Sequence, residues 1–300
     1  MEKKKQTATG EVFMNPRPDF GFRKIFMDRE LLIDFLNGLI GERAQITGVE
    51  YLPNTVAGEW DADRKAVFDL YCTNSEGEYF IVEMQRCLQP HFIDRSLFYA
   101  SAVIRSQAPA GKWDYRLKAV YFIAVLDFVE FTEADVRESY VEQACLYRRN
   151  AQRPLSDKLN MLYIELPKFK KTPEELTTNA DRWFYLLKNL EKLKDRPPEV
   201  QGRIFEKLFK RAQINRLTTK EMEEYKTSVL EYDSIKSAIA YSKERGIEEG
   251  IEKGERIGME KARREIIKRL LRGGFSIETV SSITGLGVEE IRDMEKDIPE

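Results

Sequence analysis

The pattern of apolar and polar residues in the first half of the chain is typical of strands mixed with helices. Residues 117–126 form a nearly continuous apolar run, as expected of a central strand that is covered on both faces. Shorter segments of strand and helix character surround this run. Strand patterns cover residues 46–52, 66–73, 78–85, 138–148 and 158–166, and helical patterns cover 30–40 and 91–106. This order predicts an α/β fold with a central sheet flanked by helices.

From Pro173 onward the apolar residues recur at helical spacing. Pro197 and Pro198 punctuate this part of the chain. The predicted helices cover residues 181–193, 199–212 and 219–231. We therefore expect three parts in the whole chain. They are an α/β domain over residues 13–190, a helical region packed on that core over 191–245, and a small helical tail over 246–300.

Four glycines recur at every fourth position of a charged segment, at Gly246, Gly250, Gly254 and Gly258. Each glycine costs a helix up to about 1 kcal/mol relative to alanine, so another interaction has to offset that cost. Close approach of a second helix would do so, either in a homo-oligomer formed through this C-terminal helix or in a packed tail. The alternative is a frayed, solvated linker helix.

Residues 266–297 predict two short helices around a glycine turn, with Ser276 as the N-cap of the first helix. Ser281, Gly285 and Ile291 have the spacing of the small residue, the turn and the core residue in a helix-turn-helix motif. The second helix is acidic, which is unfavourable for insertion into the major groove of DNA. We therefore favour a protein-contact or targeting role for this tail.

Charge and composition limit the classes of protein to which the chain can belong. Its 300 residues include 49 Lys and Arg against 51 Asp and Glu, so no global positive field attracts a polyanion and basic contacts have to be local. The single histidine, His91, excludes two-histidine zinc sites. No apolar run approaches the roughly 20 residues that span a bilayer. Because residues 1–6 also lack an apolar signal core, we expect a cytoplasmic protein with no membrane contact.

The strongest candidate for chemistry is a hairpin over residues 68–85. If residues 75–77 form a three-residue loop, Asp69 lies opposite Glu83, and Gln85 shares their face. Two carboxylates that face each other in an apolar strand pair are unfavourable unless a cation lies between them, so this register predicts a metal site. A four-residue loop would place the two acids on opposite faces. The other alternative is a half-solvated hairpin whose acids face water.

These residues resemble the signature of the PD-(D/E)XK nuclease superfamily, in the version with Glu-x-Gln in place of Glu-x-Lys. The resemblance is closest to the PD-(D/E)XK family transposases, also called recombination-promoting nucleases, and it covers nearly the whole chain. The similar segments are residues 19–26, 32–37, Glu83-Met84-Gln85 followed by Phe92, Arg95 and Tyr99, residues 163–169 and the glycine-spaced tail. The resemblance implies a restriction-endonuclease-like mixed central sheet flanked by helices, followed by an all-helical C-terminal region.

The resemblance also implies a metal-dependent active site. Asp69 and Glu83 would bind Mg²⁺, for which Mn²⁺ can substitute, and the main-chain carbonyl of Met84 and waters would complete an oxygen shell. Such a metal polarises a phosphodiester and lowers the pKa of the attacking water. Gln85 can orient a water or donate to a phosphoryl oxygen. Its neutral amide adds no charge, so the identity of the general base stays open.

A third acidic ligand is common in nucleases of this fold, and several positions compete for that role. We rank Glu50 first, because an adjacent strand reaches the same face. The other candidates are Glu30, Glu59, Asp61 and Asp63.

Two residues of the helix after the hairpin are candidates for substrate binding. Arg95 and Tyr99 lie four positions apart, hence on one helix face. We expect Arg95 to contact a DNA phosphate or to orient an active-site acid, and the alternative is a structural salt bridge.

The sequence thus predicts a Mg²⁺-dependent DNA endonuclease associated with recombination or transposition. The competing class is a non-catalytic DNA-associated or partner-binding protein that keeps the nuclease fold. Gln85 and the undecided third acid leave that second class open.

Overall fold

The computed structural model of the chain describes residues 12–41, 45–56 and 66–296, with side chains as far as residue 294. The chain divides into two compact units, the first ending at Lys236 and the second beginning at Ser237. The first unit contains the strands that the structure describes, and the described part of the second unit is helical.

The first unit is built on a mixed sheet. The strands are β1 (Val49–Tyr51), β2 (Thr55–Val56), β3 (Ala66–Val67), β4 (Leu70–Asn74), β5 (Tyr79–Gln85), β6 (Val120–Leu126), β7 (Val141–Cys145), β8 (Tyr147–Arg148), β9 (Arg153–Pro154) and β10 (Leu159–Glu165). Six of them form one sheet in the order β1-β4-β5-β6-β10-β7. In this sheet β5, β6 and β10 are parallel neighbours, while β1, β4 and β7 pair antiparallel with their neighbours. The apolar run of β6 therefore lies in the middle of the sheet, as predicted.

α-Helices occur in both units. In the described residues they are α1 (Asp19–Phe26), α2 (Arg29–Ile40), α3 (Phe92–Ser106), α4 (Asn179–Asn189), α5 (Arg203–Ala212), α6 (Thr219–Arg272), α7 (Ile277–Thr284) and α8 (Val288–Lys296). The start of α2 is set by Asp28, which accepts hydrogen bonds from the N–H groups of Glu30 and Leu31 at 3.1 and 3.4 Å. The helix ends at Ile40 and is followed by Gly41, whose φ of 65° favours glycine.

The sheet separates two apolar layers, because the side chains of a strand alternate between its faces. Phe80, Val82 and Met84 of β5 belong to the layer that contains α1, α2, α4 and α5. In that layer Trp183 of α4 is fully buried against aromatic rings of α1 and α2. Ile81 of β5 belongs to the opposite layer, which contains α3. This mixed sheet with flanking helices and a long helical C-terminal region is consistent with the predicted restriction-endonuclease-like fold.

The single strand predicted over residues 66–73 is two strands in the structure. β3 pairs with β2, whereas β4 pairs with β1 and β5. The backbone bends at Asp69 because it leaves one ladder and enters another. This bend places Asp69 at the end of β4, beside β5.

The second unit has a small core of its own. Ile267 of α6, Val280 of α7 and Ile291 of α8 are fully buried against one another. The N-cap predicted at Ser276 is confirmed, because its Oγ accepts the Thr279 N–H at 3.3 Å. The two short helices predicted for this segment are therefore present.

Helix α6 is continuous through the glycine repeat, although the sequence predicts a helix over residues 219–231 and a separate glycine-spaced helix from residue 246. The intervening Glu, Lys and Arg residues favour a helix and outweigh the cost of the glycines. Within the described residues, a Cβ atom built at Gly246, Gly250, Gly254 or Gly258 would meet no neighbouring atom within 4 Å. The packed tail, the homo-oligomer and the solvated linker stay predictions.

Two further predictions concern the whole chain. The predicted domain limits at residues 190 and 245 stay predictions, although the division after Lys236 separates a sheet-containing unit from a helical one. None of the described helices contains an apolar stretch long enough to cross a bilayer.

Candidate metal centre

The hairpin formed by β4 and β5 has the register that the sequence predicts. The Asn74 N–H donates to the Glu78 carbonyl at 3.0 Å, so residues 75–77 form a three-residue loop. The last residue of this loop is a glycine with a φ of 77°, a conformation that such loops require. The same register brings Asp69 and Glu83 next to each other at the other end of the hairpin.

Backbone N–H groups of each arm of the hairpin donate hydrogen bonds to the acid of the other arm. The Asp69 N–H donates to Glu83 Oε1 at 3.1 Å, and the Met84 N–H donates to Asp69 Oδ2 at 2.7 Å. Glu83 is only 4% exposed, and Asp69 is half-buried. The alternative in which both acids face water is therefore wrong.

The buried position of the pair disfavours the charged forms of both carboxyl groups. Burial and the charge of Asp69 together raise the pKa of Glu83 to about 8, against the opposing charge of Arg95. Burial outweighs the hydrogen bond from the Met84 N–H and raises the pKa of Asp69 to about 6. Without a cation, the pair thus holds its charge at a cost in free energy.

The ligand set of this pair fits a hard divalent cation. Within residues 12–41, 45–56 and 66–296, the donors hydrogen-bonded to the two carboxylates are two backbone N–H groups and the amide of Gln85, and none of these donors carries a charge. Carboxylate oxygens are the ligands that Mg²⁺ and Mn²⁺ take from proteins, usually with several waters. A cation between Asp69 and Glu83 would stabilise both ionised groups and lower their pKa values.

Gln85 connects this pair to Arg95 on α3. The Gln85 Nε2 donates to Glu83 Oε2 at 2.9 Å, and Arg95 Nη2 donates to Gln85 Oε1 at 2.6 Å. Arg95 Nη1 also donates to Gln89 Oε1. The structure therefore brings Arg95 to the predicted site, where it contacts an amide rather than one of the acids.

Tyr99 also lies beside the pair. Burial raises the pKa of its hydroxyl, and the charge of Glu83 raises that pKa further. The ring centroid of Tyr99 is 5.9 Å from the Arg95 guanidinium, and that of Phe92 is 5.2 Å from it. Such distances allow cation–π attraction, which holds the guanidinium in place.

Glu50, ranked first as the third ligand, is not brought to the pair. It lies on β1 opposite Thr73, which is four residues from Asp69 along the neighbouring strand. Four residues of strand correspond to about 13 Å. Glu50 is exposed to solvent on the correct face but at the wrong height, because the face of a strand residue does not determine its position along the strand.

The other predicted candidates do not supply a third ligand either. Glu30 forms ion pairs with Arg203 and Lys207, at 3.1 and 3.3 Å. Glu59, Asp61 and Asp63 lie outside the described residues. Among the residues that are described, no group of three or more His, Cys, Asp and Glu side chains could hold a metal ion. The described side chains thus offer two carboxylates to a cation.

Asp19 is an acid near the site that the sequence argument did not single out. It is the first residue of α1, it is exposed, and its charge raises the pKa of Asp69. The charges of Arg86 and Arg23 lower that pKa. An acid in the first turn of a helix is too common a signal to identify a ligand. Only the packing of α1 shows that this helix end approaches the pair.

Comparison with known proteins gives a match to a family model. A family model described as PD-(D/E)XK nuclease family transposase matches residues 16–242, which is most of the chain. The matched range includes the sheet, α3 and the first part of α6. No significant match is found among curated proteins or among solved structures.

Proposed function

Because the chain belongs to the PD-(D/E)XK nuclease family transposases, we propose that it is a metal-dependent DNA endonuclease that hydrolyses phosphodiester bonds in recombination or transposition. The family supports a nuclease-type hydrolase. The observation that carries the finer proposal is the convergence of the carboxylates of Asp69 and Glu83 at the end of the hairpin. Buried acids with raised pKa values that share one position are typical of functional sites.

The residues of the pair have defined tasks in this proposal. Asp69 and Glu83 bind one Mg²⁺, which Mn²⁺ can replace, and the main-chain carbonyl of Met84 contributes a further oxygen. The bound ion supplies Lewis acidity toward a phosphodiester oxygen and a water of lowered pKa. The protein excludes bulk water from one side of the pair, since Glu83 is almost fully buried.

Three further side chains shape the surroundings of the phosphate. The amide of Gln85 donates one N–H to Glu83, and its other N–H is suited to a water or a phosphoryl oxygen. Arg95 and Tyr99 lie on the helix face that borders the pair, as substrate-binding residues. Arg23 and Arg86 add positive charge near Asp69. This local charge favours a DNA phosphate although the net charge of the chain is −2.

The proposal also covers the setting of the reaction. DNA is the expected partner, and the cytoplasm is the expected location. A homo-oligomer through the C-terminal helix is the expected assembly, and the four glycines are the positions at which a second helix would approach closely.

One observation favours a second candidate, a non-catalytic DNA-associated or partner-binding protein that retains the nuclease fold. The described residues provide two acids and a neutral amide, where Glu-x-Lys relatives have a cation. Loss of that cation could leave binding intact while removing efficient hydrolysis.

Plasmid cleavage separates the two candidates. Supercoiled plasmid is incubated with the protein and Mg²⁺, and nicked and linear products are measured over time. Cleavage that is lost in Asp69→Asn and Glu83→Gln supports the nuclease, and plasmid binding without cleavage in the unmodified protein supports the second candidate. Glu50→Gln is the matched control, since it removes an acid on the same face of the sheet but away from the pair.

A further inference from the structure

The contact between Arg95 and Gln85 gives the site a cation at a position that the sequence motif does not reveal. Arg95 Nη2 lies 2.6 Å from Gln85 Oε1, and Gln85 Nε2 lies 2.9 Å from Glu83 Oε2. The three side chains thus form one series of hydrogen bonds from α3 to the acidic pair of Asp69 and Glu83. The positive charge stands one amide group away from the carboxylate.

The side-chain amide of Gln85 has only one orientation that is consistent with both hydrogen bonds. A guanidinium has donors and no acceptor, so the amide atom that faces Arg95 has to be the oxygen. The amide nitrogen then faces Glu83, as the structure shows. If Arg95 were absent, no donor among the described residues would hold the amide oxygen on the α3 side, and the amide would be free to rotate by 180°.

Arg95 is itself held by several neighbours. It donates to Gln89, and its guanidinium lies over the rings of Phe92 and Tyr99. An arginine uses its planar fork and its weak hydration for such arrangements, and a lysine cannot reproduce both hydrogen bonds and the stacking. These contacts fix the guanidinium before any substrate binds.

We propose that Arg95 is a positioning residue that acts through Gln85, and that the two residues together replace the lysine of the Glu-x-Lys motif. Arg95 supplies the positive charge and holds the amide oxygen of Gln85. The amide N–H of Gln85 is thereby directed at Glu83. This inference rests on the proposed nuclease function, and it predicts that the need for Arg95 disappears when position 85 carries its own charge.

The first test is spectroscopic and needs neither metal nor DNA. The protein is labelled with ¹⁵N-glutamine, and the side-chain amide signals of Gln85 are assigned by their loss in Gln85→Lys. Arg95→Gln is expected to shift these signals and to speed the exchange of the amide hydrogens with water. Arg116→Gln, which removes an exposed arginine paired with Asp114, should leave them in place. Unchanged Gln85 signals in a folded Arg95→Gln protein would overturn the inference.

The second test moves the positive charge from position 95 to position 85. Arg95→Gln is expected to slow plasmid cleavage about 10- to 100-fold, the loss of one hydrogen bond to a charged group. Arg95→Lys should recover only part of that rate. The double variant Gln85→Lys with Arg95→Gln should cleave at least about tenfold faster than Arg95→Gln alone, because the two changes are coupled. Arg116→Gln should cleave at the unmodified rate.

The outcomes separate this inference from the proposed function. If the unmodified protein cleaves but the double variant is no faster than Arg95→Gln, Arg95 does not act through Gln85 and the proposed nuclease function stands. If the unmodified protein does not cleave, the proposed function fails, and the amide signals of Gln85 still decide whether Arg95 orients that side chain.

Discussion

Two buried acids of the first unit are treated by the protein in opposite ways. At the start of α4, Asp181 is 2% exposed, and its two oxygens lie 2.8 and 2.9 Å from Lys171 Nζ. Burial would raise the pKa of Asp181, but the hydrogen bonds from Lys171 and from Thr178 outweigh burial and lower the pKa to about 2. At the end of the hairpin, burial raises the pKa of Glu83 to about 8.

The difference separates an acid that the protein itself neutralises, Asp181, from one for which the described residues provide no such partner, Glu83. Asp181 is charged, paired and part of a capping box with Thr178 that starts α4. Glu83 lies beside a second acid, and in the part of the chain that the structure describes its hydrogen-bond donors are a backbone N–H and a neutral amide. A buried carboxylate without a charged partner costs free energy, so we infer that Glu83 is retained for binding rather than for stability.

The largest expected difference between the two sites is in catalysis. Asp69→Asn or Glu83→Gln should slow plasmid cleavage about 10³-fold, since metal catalysis contributes several kcal/mol and each 1.36 kcal/mol is tenfold in rate. The rate of product formation with Mg²⁺ measures the effect.

Asp181→Asn is the control for this loss, because it removes a buried acid outside the pair. It should cleave at a normal rate per folded molecule. A similar loss of cleavage in Asp181→Asn would erase the distinction between the two sites.

The next effect is on stability, and here the order of the two sites is reversed. Asp181→Ala should lower the free energy of unfolding by about 3 kcal/mol, because it leaves Lys171 and the start of α4 without their acceptor. Glu83→Gln should leave the stability of the metal-free protein equal or higher. Urea unfolding of both variants without divalent ions gives the comparison, and equal losses in the two would contradict it.

Divalent ions should stabilise only the protein with an intact pair. At a Mn²⁺ concentration of about 100 times the dissociation constant, the unmodified protein and Asp181→Asn should each gain about 2.7 kcal/mol of unfolding free energy. Glu83→Gln should gain little. The melting temperature with and without Mn²⁺ is the measurement, and a gain of equal size in Glu83→Gln would place the ion elsewhere.

The smallest expected effect is the pH dependence of the structural acid. The folded pKa of Asp181 is lowered, so its contribution is complete above the unfolded pKa of about 3.9 and is lost as the pH falls to about 2. The stability difference between the unmodified protein and Asp181→Asn should therefore shrink by about 2 kcal/mol between pH 4 and pH 2. Between pH 6 and pH 8 it should stay constant. A difference that is flat down to pH 2 would show that Asp181 has no lowered pKa.

The approach of Asp69 to Glu83 could be predicted from the sequence, because short-range rules determine it. A glycine ends a three-residue loop, and strand residues alternate faces, so counting from the loop places the two acids opposite each other. The capping box of Thr178 and Asp181 is a local pattern of the same kind.

The rest of the site depends on how distant elements pack. The contact of Arg95 with Gln85 requires the position of α3 on the sheet, and the approach of Asp19 requires the position of α1. Glu50 shows the same limit, since alternation gives its face while the pairing of β1 with β4 gives its height. The sequence prediction divides α6 into two helices, although residues 232–245 between them contain no glycine or proline that would end a helix.

If Asp69 and Glu83 together bind one divalent ion, anomalous diffraction from a crystal soaked in Mn²⁺ will locate it. We expect a single peak within about 2.0–2.6 Å of a carboxylate oxygen of each residue, and its absence from crystals of Glu83→Gln. A peak that contacts neither residue, or no peak at saturating Mn²⁺, would contradict binding by this pair.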